Sequence, residues 1–479
     1  MVDGSAMTGQ QPAGREQGRL LAQPDQDRMT QESEVLLAQL RRRRRSDWLE
    51  GTVLVDSSVR RNGRYADGRL AETTLVVDAG MAVRLLTPDG FRYRAASAPA
   101  DSLVDELLGG KSPASGRRWD GAAGQRASWD AAGAAREADT AELMALLDGI
   151  DAAARAQDPR IVQVLIFFDV VRRGVRIGSL DQGVVEDRRD LVYLTVRTVA
   201  KTGDRIAAGF YTPGIAGAPG LLDAAAIGRE SAVRAVHSLE GRPAPVGEFP
   251  VVVAGGRGIV LLHEACCHPL EGDEVLKGSI YSGRVGERIA APGVTIVDDA
   301  ALPDAVGSHR YDDERVPASA TTLVEDGVLR SFLTDRESAL RLGTSLTSNG
   351  RCHSYQQPPI PRMTNTCLGA GALTPEEIIA DTPRGIYAEH VAGGEVVEAT
   401  GEFVFRVTNG YYIENGRLTD PIAETTIAGN GAKVLTDIDA IGNDVQLGAA
   451  KCGKFGQLIP VGVSGPTLRV ASMLVGGTS

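Results

Sequence analysis

Cysteine, histidine, lysine and aromatic residues are all scarce in this 479-residue chain, and no apolar run is long. Five cysteines, an odd number, cannot all pair, and the chain opens without the charged, apolar and small-residue pattern of a secretory leader. A reducing, cytoplasmic setting without structural disulfides is therefore expected. The longest apolar run, Ile161 to Val171, is interrupted by Gln163 and Asp169 and falls short of the roughly 20 residues of a membrane helix. Net basic charge is lacking too. Lys plus Arg number 51 against 62 Asp plus Glu, a formal charge of −11, which argues against nucleic acid as a bulk partner, because phosphates need a basic face.

What the chain does have is length enough for two or three domains with substantial cores. Residues 1–28 are rich in Gln, Gly, Asp and Pro and read as a loose tail. From Met29, the apolar set Val35, Leu36, Leu37 and Leu40 predicts a helix that runs into Arg41 to Arg45. Five arginines at a helix C-terminus read as a solvated end rather than a nucleic-acid patch. Strands are predicted at 51–56, 71–77, 81–86 and 91–96, making an antiparallel sheet. Residues 109–132 read as a connector or flap, followed by a helix over about 134–156. Further strands at 161–171, 175–179, 190–200 and 205–211 extend the sheet, and a helix covers 221–239. The Pro-containing stretch 241–248 is a plausible boundary. The expected architecture is α+β: an N-terminal mixed α/β domain over 29–241 with an antiparallel sheet, and a β-rich C-terminal domain over 242–479 carrying a short zinc-binding helix.

The scarce histidines are not scattered evenly. Two of the six flank a glutamate in His263-Glu264-Ala265-Cys266-Cys267-His268, on a short apolar segment. Two imidazoles and a carboxylate are the raw material of a zinc hydrolase. The glycines at 255, 256 and 258 break the preceding strand, and Pro269 disfavours helical geometry at His268, so the helix is confined to about 257–268. On a regular helix, at about 100° per residue, His268 lies about 140° away from His263, so both imidazoles reach one ion only through a wide, π-type turn. Cys267, four residues after His263, is the better-placed partner on an undistorted helix and competes for that role. The glycines at 255–258 do not make a phosphate loop, since no Gly-Lys-Ser/Thr follows.

Blocks beyond the motif carry a resemblance. These are His263-Glu264-Ala265, Leu270-Glu271-Gly272-Asp273, Gly350-Arg351, Ser354-Tyr355, Pro361-Arg362-Met363-Thr364-Asn365-Thr366, Tyr412-Ile413-Glu414-Asn415-Gly416, Gly442-Asn443-Asp444, Cys452-Gly453-Lys454, Pro460 to Val463 and Pro466-Thr467-Leu468. In order and spacing they resemble the TldD/PmbA metalloprotease family, on the TldD side, over about 258–479. The first ~240 residues, more than a typical single domain, resemble it only loosely.

In that family the catalytic subunit carries HExxxH and the PmbA (TldE) subunit does not. The resemblance implies Zn2+ held by His263, His268 and Cys452, with Glu264 as general base. It implies a zinc-dependent peptidase acting on flexible or unfolded peptides, working as a heterodimer with a non-catalytic TldE/PmbA-like subunit or as a homodimer. Tyr355 is a candidate for the oxyanion, and Arg362 and Asn365 for a substrate carboxylate or backbone. The chain departs from the family at Cys267 and Pro269, where glycines flank the second histidine, and at Cys352-His353. Three other readings remain open: an amide hydrolase tailoring a natural product, a cysteine hydrolase using Cys266 or Cys267, and a non-catalytic scaffold whose zinc is closed by Cys267 as a fourth ligand.

Overall fold

The computed structural model describes residues 23–97, 103–109, 137–397 and 401–476. The first 22 residues of the expected tail and most of the expected connector lie outside the described residues. Helix α1 spans Gln23–Arg42, so the last residues assigned to the tail belong to it, and the arginines past its end pair with Asp105 and Asp181. That is the solvated helix end expected from sequence.

Long antiparallel strands follow: β1 (Glu50–Ala66), β2 (Arg69–Thr87) and β3 (Gly90–Ala96), then after α2 (Leu103–Gly109) and α3 (Glu137–Gln157) the strands β4 (Ile161–Ser179), β5 (Gly183–Thr202), β6 (Arg205–Tyr211) and β7 (Gly214–Ala216). They form one sheet in the order β3-β2-β1-β4-β5-β6, with β7 on β5. Side chains alternate between the faces of a strand. On one face Val53, Val55, Met81 and Val83 meet Leu36, Leu37 and Leu40 of α1. Farther along it, Ile166, Phe168 and Leu194 meet α3 and α4 (Ala224–Glu240). On the other face, Leu54, Ala82 and Ile177 pack on Cys352 and Tyr355 of the C-terminal part.

This second contact explains why two pairs of predicted strands are each one strand. The stretch between 77 and 81 contains Gly80, whose absent Cβ would lie 2.3 Å from the Tyr355 ring. Between 171 and 175, Arg173 reaches Asp56 at 2.9 Å and Asp313 at 3.2 Å. Glycine and arginine resemble strand breaks in a sequence; here they serve a buried face.

Among the described residues, the C-terminal part holds two large sheets and a small two-stranded one. After β8 (Gly247–Val253) come β9 (Ile296–Asp299), β10 (Ala320–Glu325), β11 (Val328–Leu329), β12 (Gly350–Arg351), β13 (Ile360–Pro361) and β14 (Asn365–Leu368). Then follow β15 (Arg384–Val397), β16 (Glu402–Glu414), β17 (Arg417–Ile422), β18 (Thr425–Asn430), β19 (Ile438–Ile441), β20 (Gln446–Lys454), β21 (Gln457–Gly465) and β22 (Leu468–Val475). One sheet runs β11-β10-β9-β14-β21-β20; the other runs β15-β8-β22-β18-β16-β17, with β19 on β22. The motif segment lies in their shared core, with Leu261, Leu262 and Ala265 among Ile296, Leu368 and Val463 of the first sheet and Val251, Ile386 and Phe405 of the second.

A close helix-on-sheet contact is at Gly209 of β6, where an added Cβ would fall 2.3 Å from the Ala235 amide nitrogen and 2.5 Å from the Ser231 carbonyl of α4. Backbone on both sides leaves nothing to rotate away. Gly209→Val is expected to destabilise the protein by about 1–3 kcal/mol or more. Chemical denaturation checks this, and an unchanged midpoint would refute so close a contact.

Candidate metal centre

The motif is not a regular helix. A 3₁₀ turn (Gly256–Ile259) leads into a single α turn (Val260–Leu262), then a π turn (His263–Cys267), then another 3₁₀ turn (His268–Leu270). Pro269 has no N–H to donate to the carbonyls of the preceding turn, which ends the wide turn there. Bonding from i to i+5 aligns residues five apart, as the two histidines are.

Three side chains converge. The ligand atoms of His263, His268 and Cys452 all lie within 4.8 Å of one another, and all three residues are buried. The His268 Nε2 to Cys452 Sγ distance is 3.3 Å, close to the about 3.5 Å that a nitrogen and a sulphur on one tetrahedral zinc keep. The two rings stand 5.3 Å apart, centroid to centroid, at 82°.

The other ring nitrogens are already committed. His268 Nδ1 donates to Glu271 Oε2 at 2.9 Å; a carboxylate can only accept, so the proton sits on Nδ1. His263 Nδ1 lies 2.9 Å from Thr366 Oγ1, whose own hydrogen points to Met363 Sδ at 3.6 Å. This leaves His263 Nε2 buried without a hydrogen-bond partner among the described residues. A buried lone pair directed at a thiol and a second imidazole suits a metal ion, which needs both imidazoles neutral at Nε2. The donor set of two nitrogens and one sulphur suits zinc and leaves a fourth position open.

Electrostatics point the same way. Burial opposes a charge on Cys452, but the His268 and His263 imidazoles outweigh it and hold the thiol well below its ordinary range. His268 is correspondingly held well above its ordinary range, against burial, by Cys452 and Glu271. The thiolate and imidazolium form one pair whose proton a metal would displace.

Glu264 shares the π turn. Its Oε2 is 3.4 Å from His268 Nε2, and its side chain is 28% exposed where His268 is 3%. It is the member of the group that reaches toward solvent. Burial raises the pKa of its carboxyl, but the hydrogen bond from His268 and the nearby His263 imidazole prevail and keep it below the usual range.

Two sequence alternatives lose their geometry. The Cys267 sulphur is not part of the converging group, and burial pushes the thiols of both Cys266 and Cys267 upward. Neither is arranged as a fourth ligand or as a nucleophile.

The three expected substrate contacts are placed elsewhere. Arg362 is fully buried and donates to the Cys452 carbonyl at 2.7 Å and the Gln457 carbonyl at 3.4 Å, pinning the hairpin that carries the thiol. Asn365, also fully buried, donates to the Asp299 carbonyl at 2.6 Å and Ser308 Oγ at 2.9 Å and accepts from the Gly307 amide at 3.1 Å. Tyr355 Oη donates to Asp78 at 3.1 Å, tying it to the N-terminal sheet, and burial pushes its pKa up to about 12. The polar groups of Asn365 and Tyr355 are engaged by these neighbours, while Arg362 Nε is buried without a partner among the described residues; a buried side chain in a specific block looks the same in sequence whether it binds or supports. His353, one of the departures from the family, is partly buried, with Nδ1 2.5 Å from the Leu458 carbonyl.

Sequence reasoning assigned no role to Thr366, Glu271 or Lys454. The signal for Glu271 was its place three residues after His268; nothing local to Thr366 or Lys454 gave one.

The fold and this geometry have known counterparts. Residues 134–239 match the PmbA/TldA metallopeptidase central domain and residues 246–477 its C-terminal domain. The chain belongs to the PmbA/TldD metallopeptidase family. A metalloprotease TldD homologue of Haemophilus influenzae is 37% identical over 347 residues, covering 70% of this chain and 72% of that one. A zinc metalloprotease TldD homologue of Saccharolobus solfataricus is 33% identical over 245 residues, 51% of this chain and 55% of that one. Among solved structures, a candidate DNA gyrase modulator from Thermotoga maritima superposes with a TM-score of 0.76 at 22% identity, over 93% of this chain and all of that one. TldE from Thermococcus kodakarensis gives 0.72 at 19%, over 93% and 100%. The last two show the shared PmbA/TldD fold. No helix among the described residues is long and apolar enough to cross a membrane.

The thiolate–imidazolium pair yields a direct test. In metal-free protein, thiolate ultraviolet absorbance is expected to persist at neutral pH, below the ordinary cysteine pKa of about 8.5, and to vanish in Cys452→Ala. Loading Zn2+ should release a proton. A wild-type thiol that ionises only above neutrality would contradict this assignment.

Proposed function

We propose that this chain is a zinc-dependent peptidase whose metal is held by His263, His268 and Cys452 and whose general base is Glu264. The observation that carries the reading is the convergence of one ring nitrogen from each of His263 and His268 and the Cys452 sulphur within 4.8 Å, beside a partly exposed carboxylate. Zinc bound there would supply Lewis acidity toward a scissile carbonyl. Glu264, ionised and on the solvent side, would take the proton of the attacking water and return it to the leaving nitrogen. His268 and His263 hold that carboxylate ionised, and their committed Nδ1 atoms keep both rings from turning. The name carried by the Saccharolobus relative supports the choice of zinc.

Three groups rather than four favour catalysis over a structural zinc, because a closed site has no place for a substrate. The substrates we infer are flexible or unfolded peptide segments, with a natural-product amide the second reading for the same centre. We further propose a TldE/PmbA-like partner subunit, on the strength of the superposition on TldE, and a cytoplasmic location.

Glu264→Gln is expected to retain one zinc per chain while losing about 10²- to 10⁴-fold in peptide hydrolysis, the range a general base contributes. Cys452→Ala is expected to lose the zinc itself. Metal analysis together with a peptide-cleavage assay measures both; equal turnover of wild type and Glu264→Gln removes the catalytic role.

A further inference from the structure

Strand β20 delivers more than the sulphur. Cys452 and Lys454 are two apart and so project to the same face of the strand. The Lys454 ammonium, 1% exposed, lies 2.7 Å from Glu271 Oε2, 2.6 Å from Asp273 Oδ1 and 3.5 Å from Glu274 Oε1. Glu271 Oε2 is also the acceptor of His268 Nδ1, while Glu271 Oε1 accepts the Met363 amide at 3.3 Å. One carboxylate oxygen is thus shared between the imidazole and the ammonium, with no solvent around it.

Without that ammonium the fully buried Glu271 would lie beside Asp273 and Glu274, which Lys277 also pairs with (3.7 Å to Asp273 Oδ2, 2.7 Å to Glu274 Oε1), and would turn away from them. A Glu271 that has turned no longer fixes the His268 ring or its tautomer. From this geometry we infer that Lys454 is a positioning residue for the metal centre, acting through Glu271 on His268, so that one strand supplies a ligand directly and orients a second indirectly. The inference rests on the zinc-centre reading above. Groups that orient a metal-bound histidine typically set metal affinity by 10- to 100-fold when removed.

The test uses the full chain, with Zn2+ affinity measured by chelator competition and Co2+ loading followed by the thiolate-to-metal and ligand-field bands. Lys454→Met, folded by circular dichroism, is expected to bind Zn2+ 10- to 100-fold more weakly and to shift the Co2+ bands; Lys454→Arg is expected to recover most of both. A role confined to fold stability would lower the melting temperature and leave the bands of the folded protein unmoved. Should Lys454→Met not fold, Glu271→Gln removes the same ion pair and must also weaken Zn2+ at least tenfold. Wild-type protein that takes up no Zn2+ sinks the zinc-centre reading and this one with it. Wild-type uptake with Lys454→Met, or Glu271→Gln in its place, matching it in affinity and spectrum sinks the positioning role alone.

Discussion

Two imidazoles five residues apart cannot meet at one point on an α-helix, and the structure of the C-terminal half follows from how that mismatch is resolved. The helix widens to a π turn between His263 and Cys267 and is stopped by Pro269. Such a turn is unstable alone; here it is clamped between two sheets, with Ala265 against Gly431, where even a Cβ would come within 1.9 Å of the Ala265 carbonyl.

The sulphur and two of the supporting groups come from one sheet. Thr366 on β14 fixes His263, and Cys452 and Lys454 come from β20, with β21 between the two strands. Arg362, which precedes β14, bonds the Cys452 carbonyl and closes the circuit. The motif contributes two imidazoles and the carboxylate; the sheet contributes the sulphur and most of the orientation. Neither half is a site without the other.

How much of this was legible in the chain differs by residue. His263, Glu264 and His268 announce themselves by rarity and spacing, and the need for a wide turn follows from helical geometry alone. Cys452, 184 positions downstream of His268, has no local signature and entered only through the resemblance of whole blocks. Arg362 and Asn365 stand in an equally specific block, yet both are fully buried supports; specificity of sequence reports constraint, not contact with substrate. The strand ends at Gly80 and Arg173 were misplaced for a related reason: both serve the face that receives the other half of the molecule, and no period of two reveals a partner that is far away in sequence. The sheet itself, its antiparallel sense and the helices over it were readable because alternation and turn residues are local.

Lys451 and Cys452 are adjacent on β20 and project to opposite faces. The lysine reaches Asp169 of β4 at 2.7 Å, while the cysteine faces the imidazoles. The strand is therefore held from both sides: the ion pair of its lysine fixes it on the N-terminal sheet at the residue next to the one whose sulphur meets the imidazoles, so the position of that sulphur depends on both halves of the chain.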